Sequence, residues 1–149
     1  YLLNPGQSLH AGDRDLLCVK PPTFDAPETT GLLDARTRMF FSADCFGALM
    51  KAPAESAGEI EPEDLREGMV VWTTIDAPWL ATADRRQWAR SLDRVRGLEP
   101  KGILSSHLPP AAGLNETLLR HLDSAQSAAP FMGPDQAALE NLTKGVGKV

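Results

Sequence analysis

The stretch RMFFSADCFGALM (residues 38–50) decides how the rest of the chain is interpreted, because it joins an apolar run to an aspartate. The run MFF (39–41) consists of large apolar residues that are typical of a buried strand, and it breaks at SAD (42–44). An ionised carboxylate beside a packed core is costly unless a positive group meets it. We therefore expect a helix N-terminus, an arginine or a metal ion next to Asp44.

The composition is that of an ordinary globular domain. The 149 residues, 42% hydrophobic and 23% charged, are enough for one domain with its own core. The net charge of -5 argues against nucleic acid as a partner, and the apolar stretches are too short for a membrane span. Cys18 and Cys45 form no CxxC pattern, so we predict two reduced, buried thiols in a cytoplasmic protein.

The order of secondary structure predicts an α/β layered domain. Turn residues and short apolar runs predict strands at 8–10, 15–20, 30–34, 38–43 and 101–106, the last closed by the prolines at 109–110. Apolar residues at helical spacing predict helices at 61–75, at 82–97 with Thr82 as N-cap, from Asn115 onward, and at 133–142. Helices that cover one face of such a sheet give a layered α/β fold.

Three polar residues each follow a predicted strand: Asp25, Asp44 and His107. Strand ends at one edge of a sheet lie close together, and that edge is where layered sheets bind ligands. Two carboxylates and an imidazole would suit zinc, iron or manganese. A hydrogen-bonded aspartate and histidine without any metal would give the same pattern, so the spacing alone leaves both interpretations open.

The segments PPTFDAPETTGLLDARTRMFFSADCFGA (21–48) and KGILSSHLPPA (101–111) resemble the second half of a metallo-β-lactamase-fold domain. The nearest variety is the oxygen-reductase-like domain of the flavodiiron proteins. Its pattern is His-x-[His or Glu]-x-Asp-His, then a histidine, 18 residues, a bridging aspartate and a final histidine. By this resemblance Asp44 takes the place of the bridging aspartate and His107 that of the final histidine. The positive charge of two metal ions would then offset the desolvation of Asp44.

The same resemblance implies that residues 1–149 are the C-terminal half of a four-layered αβ/βα sandwich, which binds one or two divalent metal ions. The chain departs from the family at Asp25, which is separated from Asp44 by 18 intervening residues and stands where the family has a histidine. An aspartate there gives a harder site for zinc, iron or manganese, or a metal position that stays weak or empty.

The His-x-His-x-Asp-His loop is the second departure, because this chain does not contain it. We predict that His10 and His121 are structural or exposed and do not replace it. The start at Tyr1 suggests a fragment, and the strands at 15–19 and 38–43 are too apolar to face water. We expect either an N-terminal half or a swapped second copy, in a homodimer, to cover them and to bring the missing loop next to Asp44.

Three functions follow from the resemblance. The main expectation is a metal-dependent hydrolase, with Asp44 and His107 as catalytic residues, in which a metal-bound hydroxide attacks an ester, lactone, thioester or phosphoester of a small-molecule substrate. The first alternative is a diiron domain that reduces dioxygen or nitric oxide, with electrons from a separate protein, or that senses oxygen. The second is a metal-poor, non-catalytic binding module, which Asp25 makes credible.

The tryptophans of the helical half have a simpler interpretation. We predict that Trp72, Trp79 and Trp88 belong to the core or to the wall of a pocket. The segment IDAPWL (75–80) is also a candidate lid over the edge that carries the metal ligands.

Overall fold

A computed structural model of the protein describes residues 2–144 and contains one mixed sheet of six strands in chain order. The strands are β1 (Ser8–His10), β2 (Asp15–Val19), β3 (Gly31–Asp34), β4 (Met39–Phe41), β5 (Gly102–Ser105) and β6 (Leu108–Ala112). Neighbouring strands are antiparallel except β4 and β5, which run parallel. The α/β fold class is confirmed, and the five predicted strands are present: β1 has the predicted bounds, and the other four are one or two residues shorter at one or both ends.

The helices follow the predicted order. They are α1 (Pro62–Asp76), α2 (Arg85–Gly97), α3 (Asn115–Ala125) and α4 (Gln136–Thr143), with single turns of 3-10 helix at Ala57–Glu59 and Pro78–Thr82.

Two of the predicted helix caps are wrong. The N-cap of α2 is Asp84, whose Oδ1 accepts the amide of Gln87 at 2.9 Å. Thr82 instead donates its hydroxyl to the carbonyl of Trp79 at 2.9 Å. A carboxylate caps a helix at least as well as a hydroxyl, and of these two nearby residues it is Asp84 that caps α2. Asn115 is the first residue of α3, and Leu114 occupies the cap position.

The sixth strand, β6, was not predicted. Pro109 and Pro110 were expected to end the sheet, but they lie within β6, which is an edge strand. An edge strand tolerates proline because the N–H groups on its open side have no ladder partner to lose. The connection between β5 and β6 is a two-residue turn, and His107 is its second residue.

One face of the sheet packs against the helices. Leu33, Phe40, Ile103 and Ala111 are neighbours across successive strands, and all four are at most 2% exposed. The helices contribute to the same cluster the buried side chains Leu65, Met69, Trp88, Leu92, Val95, Leu118, Leu119 and Leu122. Helix α4 contributes none. The core therefore lies between the sheet and α1, α2 and α3.

The opposite face, here named the outer sheet face, carries Leu16, Leu32, Phe41 and Leu104. Side chains alternate between the two faces of a sheet, so these four point away from Leu33 and Phe40. None of the four belongs to the buried cluster of the described residues, and Phe41 is 45% exposed.

The apolar strands thus divide between the two faces. Leu17, Val19 and Phe40 pack with the protein's own helices, whereas the outer sheet face is not part of that core. The prediction of a covering half or second copy stays a prediction.

Two further predictions concern the chain as a whole. Cys18 and Cys45 are free and buried, as predicted. Within residues 2–144, no helix has both the length and the apolar character that crossing a membrane requires.

Candidate metal centre

The topology brings the three candidate residues to the same end of the strands. Here "this edge" means the side of the sheet where β4 and β5 end, and not the edge strands β1 and β6. Strands β4 and β5 are parallel, so the segments that follow them, with Asp44 and His107, leave the sheet at one edge. Strand β3 is antiparallel to β4, so the loop that leads into it, with Asp25, enters at that edge too.

Asp44 and His107 face each other directly. Their Oδ1 and Nε2 atoms are 3.1 Å apart, within the roughly 3 to 5 Å expected of two groups that share a metal ion. The side chains are 35% and 44% exposed respectively, so the pair is accessible from solvent. The geometry agrees with the sequence analysis, and the role of the two residues as metal ligands remains a prediction.

The loop that presents Asp44 has a strained backbone. Ala43 and Phe46 have φ angles of 53° and 67°, a left-handed conformation that costs a residue with a side chain roughly 1–2 kcal/mol. Phe46 is fully buried, and the Ser42 hydroxyl donates to the carbonyl of Cys45 at 2.8 Å. The packing of Phe46 and this hydrogen bond hold the loop in a conformation that it would otherwise leave, which is common where a functional side chain must be presented.

Trp72, on α1, touches both members of the pair. Its Nε1–H donates to the backbone carbonyl of Asp44 at 3.0 Å, and its ring lies 4.1 Å from the His107 ring, centroid to centroid. The sequence analysis assigned Trp72 to the core or a pocket wall, so this double contact was missed.

Asp76 is a second residue that the sequence analysis missed. It ends α1, one helical turn after Trp72, and its Oδ2 is buried without a hydrogen-bond partner among the described residues. Burial raises the pKa of its carboxyl, and the negative charges of Asp44 and Asp25 raise it further, while His107 acts in the opposite direction. Asp76 also lies at the carboxyl end of a helix, where the partial negative charge of the helix dipole further disfavours an ionised carboxylate.

Asp25 lies at the same edge but outside the pair. It is exposed, and its Oδ1 accepts the hydroxyl of Thr29 at 3.1 Å. Across residues 2–144, no group of three or more His, Cys, Asp or Glu side chains is arranged to hold a metal ion. The structure therefore brings Asp44 and His107 together and leaves the assignment of Asp25 as a ligand a prediction.

The loop that carries Asp25 is anchored from two sides. The Nε1–H of Trp79 donates to the carbonyl of Phe24 at 2.8 Å, and the two rings lie 4.9 Å apart. The ammonium of Lys20 donates to the carbonyls of Pro27 and Thr29 at 2.6 and 2.9 Å. The candidate lid, residues 75–80, thus packs against the Asp25 loop through Trp79.

The remaining histidines and the neighbouring cysteine lie outside the pair. His10 is exposed and contacts Asp15 at 2.9 Å, while burial lowers the pKa of His121 on α3. Burial raises the pKa of the Cys45 thiol to about 12. Cys45 is part of the buried core cluster, so its thiol is packed away from solvent although it follows Asp44 in sequence.

The donors at this edge fit part of a metal centre. A carboxylate and an imidazole nitrogen converge, and the buried Oδ2 of Asp76 has no hydrogen-bond partner in the described part of the chain. Oxygen and imidazole donors suit iron, zinc and manganese. The pair supplies two ligands, and a complete centre needs more.

Comparison with known proteins identifies the fold. No model of a protein family and no curated protein sequence matches the chain. The flavodiiron protein from Giardia intestinalis resembles it with a TM-score of 0.69 and 20% identity, over 85% of this chain and 30% of that one. Rubredoxin oxygen:oxidoreductase from Desulfovibrio gigas gives 0.69 and 17%, over 85% and 32% of the two chains. The apo chemotaxis sensor ODP from T. denticola gives 0.58 and 19%, over 92% and 52%.

These proteins have the metallo-β-lactamase fold, so the chain has the fold of the oxygen-reductase-like domain, as predicted. It spans about a third of the length of the flavodiiron protein and of rubredoxin oxygen:oxidoreductase, and about half of the chemotaxis sensor. At identities of 20% or less the similarity establishes the fold alone.

Proposed function

We propose that this chain forms one side of a diiron centre that reacts with dioxygen or nitric oxide, in a reductase-like or oxygen-sensing domain. The observation that carries the proposal is the 3.1 Å contact between Asp44 and His107 at the edge of a fold that flavodiiron proteins share.

The charges at this edge support a cation. Asp25, Asp44 and Asp76 are close enough to one another for the first two to raise the pKa of the third. His107 is the one titratable group that the same electrostatics identify as acting in the opposite direction. Carboxylates that repel each other around a buried oxygen without a donor are stabilised when a divalent ion enters.

Each residue has a specific role in this proposal. Asp44 and His107 would hold iron through a carboxylate and Nε2, and the bound ions would supply the redox chemistry. In the absence of metal, burial first, and then the charges of Asp44 and Asp25, raise the pKa of Asp76, so the ionised form of this carboxyl is disfavoured at the site.

The remaining ligands would come from polypeptide that covers the outer sheet face. Leu32, Phe41 and Leu104 line a shallow depression on that face together with Ala43 and Ser106, the neighbours of Asp44 and His107. A polypeptide segment that packed into this depression would therefore lie beside Asp44 and His107. We propose the N-terminal half of the αβ/βα sandwich as the occupant, with a second copy as the alternative.

The hydrolase expected from the sequence gains no support from the similar structures, two of which are named as a flavodiiron protein and an oxygen:oxidoreductase. The proposal therefore favours the chemistry of dioxygen or nitric oxide, and the hydrolase is an outcome of the test below.

The test uses the complete gene product, purified without oxygen and loaded with Fe²⁺. The unsubstituted protein should bind iron and change its visible absorption when dioxygen is admitted. Asp44→Asn and His107→Ala should abolish both, whereas Asp93→Asn, on the exposed side of α2, should not. A protein that retains only zinc and hydrolyses esters in an Asp44-dependent manner would instead be the hydrolase. A protein that binds no metal would be the binding module.

A further inference from the structure

We propose that Trp72 is the positioning residue of the Asp44–His107 pair, because a single indole fixes the backbone of one and the ring of the other. The consequence for metal binding rests on the proposed function, whereas the positioning itself rests on contacts within the chain.

The hydrogen bond fixes Asp44. The carbonyl of Asp44 accepts two donors, the Nε1–H of Trp72 at 3.0 Å and the amide of Gly47 at 3.1 Å. Ala43 and Phe46, which lie before and after Asp44 in the loop, are in the left-handed region. The conformational energy of this backbone would therefore fall if the loop left its present conformation. A donor from a separate element, α1, opposes that relaxation and keeps the carboxylate aimed at His107.

The ring contact fixes His107. The planes of the indole and the imidazole are tilted by 35° and their centroids are 4.1 Å apart, so Trp72 covers one side of the imidazole. A histidine ligand is usually oriented by a hydrogen bond to its second ring nitrogen. Between residues 2 and 144, the second ring nitrogen of His107 has no such bond, so the indole restricts the rotation of the ring together with the contact between Nε2 and Asp44.

Two glycines keep the indole in this place. A Cβ at Gly47 would lie 2.5 Å from the Nε1 of Trp72, and a Cβ at Gly68 would lie 2.3 Å from the carbonyl oxygen of Leu49. The amide of Leu49 donates to the carbonyl of Gly68 at 3.1 Å. Helix α1 therefore approaches the loop that follows Asp44 more closely than any residue with a side chain would allow.

Trp88 provides a matched control. It is 3% exposed in the core, and its Nε1 has no hydrogen-bond partner among the described residues. Replacing Trp88 removes the same side chain from the same protein without touching the pair, so it reports the purely structural cost of losing a tryptophan.

The experiment measures two properties of the full chain in the Trp72→Phe, Trp72→Leu and Trp88→Phe variants. The first is the NMR spectrum of His107, including the through-space contact between its Hε1 and the Asp44 side chain. The second is the affinity for Co²⁺ by calorimetry. Trp72→Phe keeps a ring but loses the donor, whereas Trp72→Leu loses both.

We expect Trp72→Leu to weaken the through-space contact and to shift the His107 ring protons downfield, because the indole ring current is gone. Both Trp72 variants should bind Co²⁺ about tenfold more weakly, the usual cost of losing a group that orients a ligand. Trp88→Phe should leave both properties unchanged.

The two readouts separate the proposals. If the unsubstituted chain binds no Co²⁺, the proposed function fails, and the His107 spectrum alone decides the role of Trp72. If that spectrum and the contact with Asp44 are the same in Trp72→Leu as in the unsubstituted protein, or change equally in Trp88→Phe, Trp72 is a packing residue and the inference is overturned.

Discussion

Asp34 and Asp76 lie at opposite ends of the sheet, and their carboxylates have opposite surroundings. Asp34, the last residue of β3, accepts hydrogen bonds from the Thr37 hydroxyl at 2.8 Å, the amide of Arg36 at 2.8 Å and the guanidinium of Arg14 at 3.0 Å. The Thr37 hydrogen bond first, and then the other donors, lower the pKa of Asp34 to about 2. Asp76 has a buried oxygen that no group within residues 2–144 donates to, and its pKa is raised.

The difference separates a structural carboxylate from a candidate functional one. At the turn end the chain supplies every donor that the negative charge requires. At the other end it places Asp44 and Asp25 where they raise the pKa of Asp76, while His107 acts in the opposite direction. An external cation would remove such an imbalance, which is why the metal is proposed at this end.

The largest effect on stability is expected at the turn end, from Asp34→Asn. The stabilisation from Asp34 is fully present above its ordinary pKa of 3.8 and is lost as the pH falls towards about 2. Urea denaturation between pH 2 and 7 should therefore show a stability loss at neutral pH and a weaker acid dependence below pH 4. An acid dependence equal to that of the unsubstituted protein would contradict the account of Asp34.

Gly47→Ala is expected to have the next largest effect. Its Cβ would lie 2.5 Å from the Trp72 indole, so the ring must move, at a cost of about 1–3 kcal/mol in the free energy of unfolding. Gly97→Ala is the control, because a Cβ there meets nothing within 4 Å. Equal unfolding midpoints in urea for the two variants would show that α1 and the loop after Asp44 are not in close contact.

Ala43→Gly should raise the free energy of unfolding by up to about 1 kcal/mol, because glycine adopts a φ of 53° without strain. Ala35→Gly, in the exposed turn at the other end, has no such strain to relieve and should lower stability. A destabilised Ala43→Gly variant would argue against strain at the site.

Asp76→Asn should have the smallest effect, opposite in sign to that of Asp34→Asn. Because the pKa of Asp76 is raised, the folded protein loses stability as the pH rises through it, and asparagine removes this loss. At pH 7 the metal-free Asp76→Asn protein should have a slightly higher thermal unfolding midpoint than the unsubstituted protein. A lower midpoint would mean that the carboxylate has a donor in solution, which would remove the contrast between the two ends.

The same contrast shows what a sequence can reveal. Asp44 and His107 were predictable, because each directly follows an apolar strand and matches a family pattern. Asp76 and Trp72 were not, because their roles depend on how closely α1 approaches the loop after Asp44. That approach is set by Gly47 and Gly68, which carry no chemical signal of their own.

The same distinction between what the sequence reveals and what depends on tertiary structure applies to the strands. The five apolar strands were predictable from short runs between turn residues, whereas β6 contains two prolines and looks like a loop. Its strand character depends on its place at the edge of the sheet, which is a property of the tertiary structure.

The central claim is that Asp44 and His107 bind one metal centre, and a Co²⁺ titration of the ¹⁵N-labelled chain tests it most directly, with Zn²⁺ as the diamagnetic reference. At substoichiometric Co²⁺ we predict that the largest paramagnetic effects fall on the amides of residues 43–47 and 105–108, and that Asp44→Asn abolishes them. Effects scattered over the acidic surface, or effects at these amides that persist in Asp44→Asn, would contradict the claim.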